Sequence, residues 1–421
     1  MSWRMKSERN WGRLGMKSNW TTTTIDDVCS LVTDGAHNSP KSVEKGYYMA
    51  SVKDFTEYGF EFSSCRKISE EDYEKLRKQG CVPQKDDVLV GKDGARYFED
   101  IIIYRQDEQP ALLSSIAILR ANRQKITSEF LYYTLKTPSI KKVVRDNYGS
   151  GSAIPRIVLK DFKRMPFSYP DIDEQRKITA LCSVIDAKIQ VNNQINKNLE
   201  QQAQAIYRSW FVNYEPFDGT KPDDWLDGTI DDLGTEIICG KTPSTKKSEY
   251  YGGNTPFITI PDMHGCVYIV STERYLSDAG VASQPKKTLP PNTVCVSCIG
   301  TAGLVTLVSE ESQSNQQINS IIPKEGISVY YIYLLMQTLA ETINKLGQSG
   351  STIVNLNKTQ FGKIQVMIPS KRVLQDFDSL CRPLFDKILS NQKENINLSE
   401  LRDTLLPKLM SRELDVSDID L

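Results

Sequence analysis

Histidine is nearly absent: the 421 residues include two, His37 and His264. The sequence places no carboxylate against either in a nucleophile–base pattern, so a hydrolytic triad has little support. No apolar run approaches 18 residues, and the opening MSWRMKSERNW has no apolar segment. Neither a membrane span nor a signal peptide is therefore expected. A large charge of one sign is also missing: the net charge is −1, which excludes a uniformly basic nucleic-acid binder. By segment, residues 1–19 carry +4, 20–170 carry +2, 171–214 carry 0, 215–369 carry −5 and 370–421 carry −2. Any DNA binding would rely on local basic patches. The nine cysteines are an odd number scattered along the chain, which reads as reduced thiols in a cytoplasmic protein.

Motifs for chemistry fail on spacing. CGKT at 239–242 looks like the end of a phosphate loop, but Thr235 stands where the loop needs glycine. Asp171 with Asp186 and Lys188 imitates a metal-nuclease set, yet one helix would hold the two acids about 22 Å apart. Cys295 and Cys298 form a single pair on a predicted strand, on different faces. His264 and Cys266 could join them around a metal, but structural cysteines are the expected reading. There is no dinucleotide fingerprint, methyltransferase motif or helicase motif, so the chain is expected to be no enzyme and to hold no metal or cofactor of its own.

What the chain does have is a repeat. LCSVIDAKIQVNNQINKNLEQ at 181–201 returns 199 residues later as LCRPLFDKILSNQKENINLSE, with 8 of 21 positions identical. Upstream, GSGSAIPRIVLKDFKRMPFSYP (149–170) answers QSGSTIVNLNKTQFGKIQVMIP (348–369). WTTTTIDDVCSLVTDG (20–35) answers WLDGTIDDLGTEIICG (225–240), ASVKD (50–54) answers ITIPD (258–262), and FLYYTLKT (130–137) answers YIYLLMQT (331–338). Short β-like runs such as DDVLVG, DIIIYR, SIAILR, PFITIP and TVCVSC lie between turn residues, and one helical segment closes each half.

Each half ends in a long helix. Ile178, Leu181, Ile185, Ile189, Asn192, Asn196, Leu199, Ala203, Ile206 and Trp210 recur in steps of three and four, and Phe377 to Leu409 repeat the register. Pro170, Asp171 and Glu174 form a helix start, and Pro383 is expected to kink the second helix. Helices of about 40 residues span roughly 60 Å, and the short link to Trp225 allows only antiparallel pairing. Centring that pair sets Asn192 against Asn395 and Asn196 against Asn391, a polar register lock, the alternative being that these Asn lie at a solvated edge. The fold class is α+β: two mixed α/β domains separated by two long antiparallel coiled-coil helices, in a pseudo-twofold internal repeat.

LVTDGAHNSP (31–40), AIYRSWFVNYEPFDGTKPDDW (205–225), GKTPSTKKSEYYGGNTPFITIPDM (240–263), NQQINSIIP (315–323) and LRDTLLPKLMSREL (401–414) resemble the specificity subunit (HsdS) of type I restriction–modification systems. The likeness runs from Trp20 to Leu414. Residues 1–18 are polar, carry +4 and have no counterpart before Trp225, so they are expected to be a disordered extension with Met16 as the real start. The repeat and the likeness together give target recognition domain 1 (19–168), a central spacer helix (169–214), target recognition domain 2 (215–368), a distal spacer helix (369–412) and a flexible tail (413–421). The resemblance further implies a non-catalytic subunit whose two domains each read half of a split site on double-stranded DNA. Two methyltransferase subunits would dock on it and two motor-nuclease subunits could join. S-adenosylmethionine, ATP and Mg2+ would belong to those partners.

Base edges and phosphates are read by Arg, Lys, Asn, Gln, Ser, Thr and similar side chains on loops. In domain one His37, Asn38, Lys53, Lys92, Arg96 and Arg156 are the candidates; in domain two Thr242, Ser244, Lys246, Lys247, Gln316 and Gln317. Each alone reads as a solvated surface residue, but together they occupy corresponding loops. The paired glycines Gly35/Gly240, Gly94/Gly300 and Gly151/Gly350 read as turn residues. Trp210, Phe211, Leu405 and Leu406, flanking the spacer, are the candidate partner-docking surface. A stand-alone bipartite DNA-binding regulator or a protein scaffold would share the architecture without that surface. A gel shift with and without a methyltransferase subunit separates the three.

Overall fold

The computed structural model describes residues 20–94, 96–148, 156–348, 354–414 and 416. The extension to Ser18, the start at Met16, Gly151, Gly350 and most of the tail lie outside them. The described residues form two units, one reaching Lys188 and resuming at Ser399, the other Ile189–Leu398.

In the first unit, SIAILRA forms the strand Ile116–Ala121 between Cys29–Asp34 and Val88–Gly91, with Ile101–Ile103 at the edge, all antiparallel. Successive side chains of a strand point to opposite faces. Ala117, Leu119, Val88 and Val90 accordingly pack with Phe130 and Leu131 on one side, while Ile116, Ile118 and Leu89 pack with Phe60 and Tyr104 on the other. Burial on both faces explains why these runs are continuously apolar. Tyr47–Ala50 lies in a smaller sheet between Arg66–Ile68 and Ala111–Leu112. Thr21–Thr24 pairs with Pro166–Tyr169 and ties the two ends of the domain together.

The second unit repeats this plan. Its sheet runs in the order Gly234–Cys239, Ile318–Pro323, Val294–Ser297, Val305–Val308, Tyr268–Ile269. Leu226–Thr229 pairs with Gln365–Ile368 as the closing ribbon. The resemblance reaches single side chains. Thr24 and Asp27 form a reciprocal capping box, as do Thr229 and Asp232. Ser51 with Asp54 and Thr259 with Asp262 do the same on two short turns, satisfying backbone N–H groups that a helix start leaves bare.

Two expectations change. The single closing helix is a pair in each unit: Ser128–Lys136 and Pro138–Asn147, then Val329–Thr338 and Ala340–Gly347. Pro138 forces Thr137 into an extended conformation, which ends one helix, and Thr137 Oγ1 then caps the next. PFITIP is strand only to Ile258, because Pro261 starts the turn Ile260–Met263.

The long helices are Ile172–Phe211 and Lys371–Met410, 40 residues each. Asp171 accepts the Glu174 N–H at 2.9 Å and starts the first. The fully buried Gln175 joins that start to the domain by accepting from Thr127 N–H and donating to the Lys125 and Pro170 carbonyls. The second helix continues through Pro383. Leu181 and Leu380, expected on the buried stripe, are 40% and 49% exposed; their neighbours Cys182 and Cys381 are fully buried instead. Burial pushes both thiols up to about 12.

Antiparallel pairing appears within each unit. In the second, Asn192 Nδ2 donates to Asn395 Oδ1 at 2.8 Å and Asn391 Nδ2 to Asn196 Oδ1 at 2.8 Å, with Asn192 also reaching Glu394. Asn192 and Asn391 are buried, and their Oδ1 atoms have no hydrogen-bond partner among the described residues. In the first unit, buried Arg402 donates to buried Asp186 at 2.6 Å, and Tyr133 Oη donates to the same carboxylate at 2.6 Å. Burial opposes the guanidinium's charge, but the bonds to Asp403 and Asp186 hold Arg402 above its ordinary value. Asp186, which the sequence showed only as part of a false nuclease set, is thus a buried junction between both helices and the domain.

Candidate DNA interface

The loops that leave the central sheet of each unit are held by one set of backbone hydrogen bonds. Gly35 N–H donates to Ile116 and Gly240 N–H to Ile318, both at 3.1 Å. Lys92 N–H donates to Ser115 and Cys298 N–H to Gln317, both at 2.8 Å. Ile157 N–H donates to Lys92 and Leu356 N–H to Cys298. Asp93 bridges to Arg156, and Ile299 bridges to Asn355. A Cβ on Gly35 or Gly240 would overlap the carbonyl of Leu112 or of Asn315, so these two glycines permit close backbone approach rather than a turn. Gly94 and Gly300 do serve turns, with φ of 97° and 78°.

On this shared frame the side chains differ. In the first unit His37, Asn38, Lys53, Arg96 and Arg156 are exposed. His37 Nε2 lies 3.2 Å from Asp34 Oδ1, so a carboxylate does face it, three residues back in the chain. Arg96 pairs with Asp100 at 2.8 Å. Lys92 is the correction: its side chain is only 8% exposed, between Asp34 at 3.3 Å and Asp93 at 3.7 Å. A buried ammonium needs such partners, and they hold the Lys92 side chain inside the loop and not on the surface where it was expected.

In the second unit Ser244, Lys246, Lys247 and Gln316 are exposed, and Thr242 Oγ1 donates to Gln316 Oε1 at 2.7 Å. Lys247 donates to Tyr250 Oη at 3.0 Å, which raises its affinity for the proton. Gln317 is tied into the scaffold through Asn315 and the Ile299 carbonyl. Gln284 ties the turn carrying Lys286 and Lys287 to the Lys241 carbonyl at 2.7 Å, which gathers further basic residues around Thr242. In the first unit Arg66 donates to the Pro40 carbonyl at 2.9 Å, and Val43 bridges to Lys67, beside exposed Lys41 and Lys45. Nothing local in the sequence marks these lysines or Asn355 as neighbours of the candidate loops, because a lysine has no signature of the loop it will lie beside.

Cys295 and Cys298 are buried in different clusters, Cys295 beside Ser320 Oγ at 3.4 Å. Burial pushes both thiols up to about 12. Among the described residues no group of three or more His, Cys, Asp or Glu is placed to hold a metal ion. No described helix is long and apolar enough to cross a membrane.

The docking candidates divide. Phe211 is buried against Trp225, Tyr331 and Phe377, and Leu406 lies in the core of the first unit. Neither offers surface to a partner. Trp210 and Leu405 are half-buried against the same cores. The apolar side chains the long helices do expose are Leu181, Val184 and Leu401 in the first unit and Val191 and Leu380 in the second.

Comparison with known families shows that residues 17–201 and 222–394 match the type I restriction modification DNA specificity domain. The chain belongs to the type I restriction–modification specificity-subunit family. The HindI specificity subunit of Haemophilus influenzae is 33% identical over 70% of this chain and 80% of its own. The MjaIX specificity subunit of Methanocaldococcus jannaschii is 26% identical over 70% and 71%. The fold is that of the type I restriction–modification S subunit from M. genitalium, with a TM-score of 0.54 at 17% identity, covering 94% of this chain and 98% of that one. The protein is therefore a DNA specificity subunit, and in type I systems the catalytic cofactors reside on the partner subunits.

Proposed function

We propose that each unit reads one half of a bipartite, asymmetric site on double-stranded DNA, and that the paired long helices fix the spacing between the halves. The observation that carries this reading is one backbone frame presenting different side chains: His37, Asn38 and Arg156 in one unit, Thr242, Gln316 and Asn355 in the other. Identical readers would read a palindrome; unlike ones read unlike half-sites. Lys53, Arg96, Lys246 and Lys247, with the lysines beside them, contact phosphates, and Ser244 and Gln317 border the base-reading loops.

The subunit works in the cytoplasm, with two methyltransferase subunits docked on the exposed apolar residues of the helices and two motor-nuclease subunits completing the complex. Those partners carry S-adenosylmethionine, ATP and Mg2+. A net charge of −1 leaves the isolated chain a weak DNA binder, so a gel shift is expected only with the methyltransferase present. A stand-alone regulator would shift DNA without it.

Replacing residues 20–165 with the recognition domain of another such subunit is expected to change one half of the methylated site and leave the other intact. Sequencing methylated bases in the host genome reads this out, and a change in both halves would defeat the independent-reader model. Lys246→Ala with Lys247→Ala should weaken binding to all sequences alike and reduce the slope of log K against log salt by about 1–2. A changed sequence preference with an unchanged slope would show that these lysines read bases.

A further inference from the structure

We infer that His37 reads a base by accepting a hydrogen bond from an exocyclic amine in the major groove, N6 of adenine or N4 of cytosine. This rests on the first unit being a DNA reader and names the chemistry of its contact. Asp34 is buried at the end of the strand Cys29–Asp34, and both of its oxygens are engaged: Oδ2 lies 3.3 Å from Lys92 Nζ and Oδ1 lies 3.2 Å from His37 Nε2. The Lys92 side chain is itself 8% exposed, with Asp93 as its other anionic neighbour at 3.7 Å. As the counter-ion of a buried ammonium, Asp34 is an acceptor only. The hydrogen between it and the imidazole must therefore sit on Nε2. In the neutral ring this leaves a lone pair on Nδ1, with the tautomer set by the carboxylate and not by solvent.

The loop beneath the ring is equally fixed. Gly35 N–H and Ala36 N–H donate to the Ile116 and Leu112 carbonyls at 3.1 and 2.7 Å. The His37 side chain remains 74% exposed. A mobile surface histidine would sample both tautomers, whereas this one presents an acceptor from a braced position. Phosphate oxygens only accept, so Nδ1 of the neutral ring has no bond to make with the DNA backbone. In the major groove the donors at base edges are the exocyclic amines of adenine and cytosine. At the corresponding place in the second unit Thr242 donates to Gln316 Oε1, leaving the Gln316 amide nitrogen to donate.

The test uses the subunit assembled with its methyltransferase, on duplexes bearing its own methylated sequence. Each adenine of the half-site assigned to the first unit is replaced in turn by purine, and each cytosine by 2-pyrimidinone, deleting one exocyclic amine at a time. One such replacement is expected to weaken wild-type binding by about three- to tenfold. His37→Ala should weaken binding to the unmodified duplex by a similar factor and be indifferent to that same replacement. His37→Gln, whose amide oxygen accepts, should recover part of the loss. Which analogue produces the effect separates adenine from cytosine. Wild-type analogue sensitivity at every position in His37→Ala would overturn the inference, as would an equal loss on specific and random DNA, which would make His37 a backbone contact. Absence of any sequence preference in the wild-type complex would remove the DNA-reading role itself, and this contact with it.

Discussion

Arg402→Ala is expected to destabilise the first unit by about 3–5 kcal/mol, because it leaves Asp186 and Tyr133 buried around an uncompensated charge. That corresponds to a fall in melting temperature of roughly 10 °C in calorimetry. The internal repeat supplies the comparison. At the equivalent positions 199 residues away, Asp186 becomes Phe385 and Arg402 corresponds to Ala203, and both of those are fully buried in the core of the second unit. The repeat thus fills these equivalent positions once with an ion pair and once with an aromatic ring and a methyl group. Asp186→Phe with Arg402→Ala and Tyr133→Phe should therefore recover most of the loss, and could exceed the wild type, since well-packed apolar groups often equal or surpass a buried ion pair. If the single substitution is tolerated within about 1 kcal/mol, the pair is not a buried junction in solution.

The second large effect has the opposite sign. Replacing Asn192, Asn196, Asn391 and Asn395 together with Leu is expected to raise the melting temperature of the second unit by on the order of 5–10 °C. Two of these amides are buried, and each keeps an oxygen without a partner among the described residues, a loss of about 1–3 kcal/mol per group. What the asparagines provide is direction: a slip of either helix would set them against Leu or Ile and break the Asn192–Asn395 and Asn391–Asn196 bonds. Spin labels at the exposed Lys197 and Lys387 should accordingly give one sharp distance in the wild type and a broadened distribution in the four-Leu variant. A lower melting temperature, or an unchanged distance distribution, would contradict the register argument.

The sequence by itself determined the duplication, the two long helices, their antiparallel sense and the partners of the four asparagines. Each is a matter of spacing along the chain. Periodicity and equal offsets are preserved whatever the surroundings, and the capping boxes at Thr24 and Thr229 join residues three apart. The tertiary structure decided the remainder. Leu181 and Cys182 are adjacent, and a helical stripe wide enough for either cannot choose between them; packing turned the thiol inward and the leucine outward. Phe211 and Leu406 looked like surface for a partner because aromatic and aliphatic residues serve a core and an interface equally well, and only the neighbouring Trp225, Tyr331 and Phe377 settle the use of Phe211. Lys92 reads from the sequence as one more loop lysine, and Asp186 as a spoiled metal ligand. Their roles depend on charges brought in from elsewhere, in the case of Asp186 from a residue 216 positions away. Desolvating a charge is costly enough that a partner must be present, but nothing in the local sequence records which residue that partner will be.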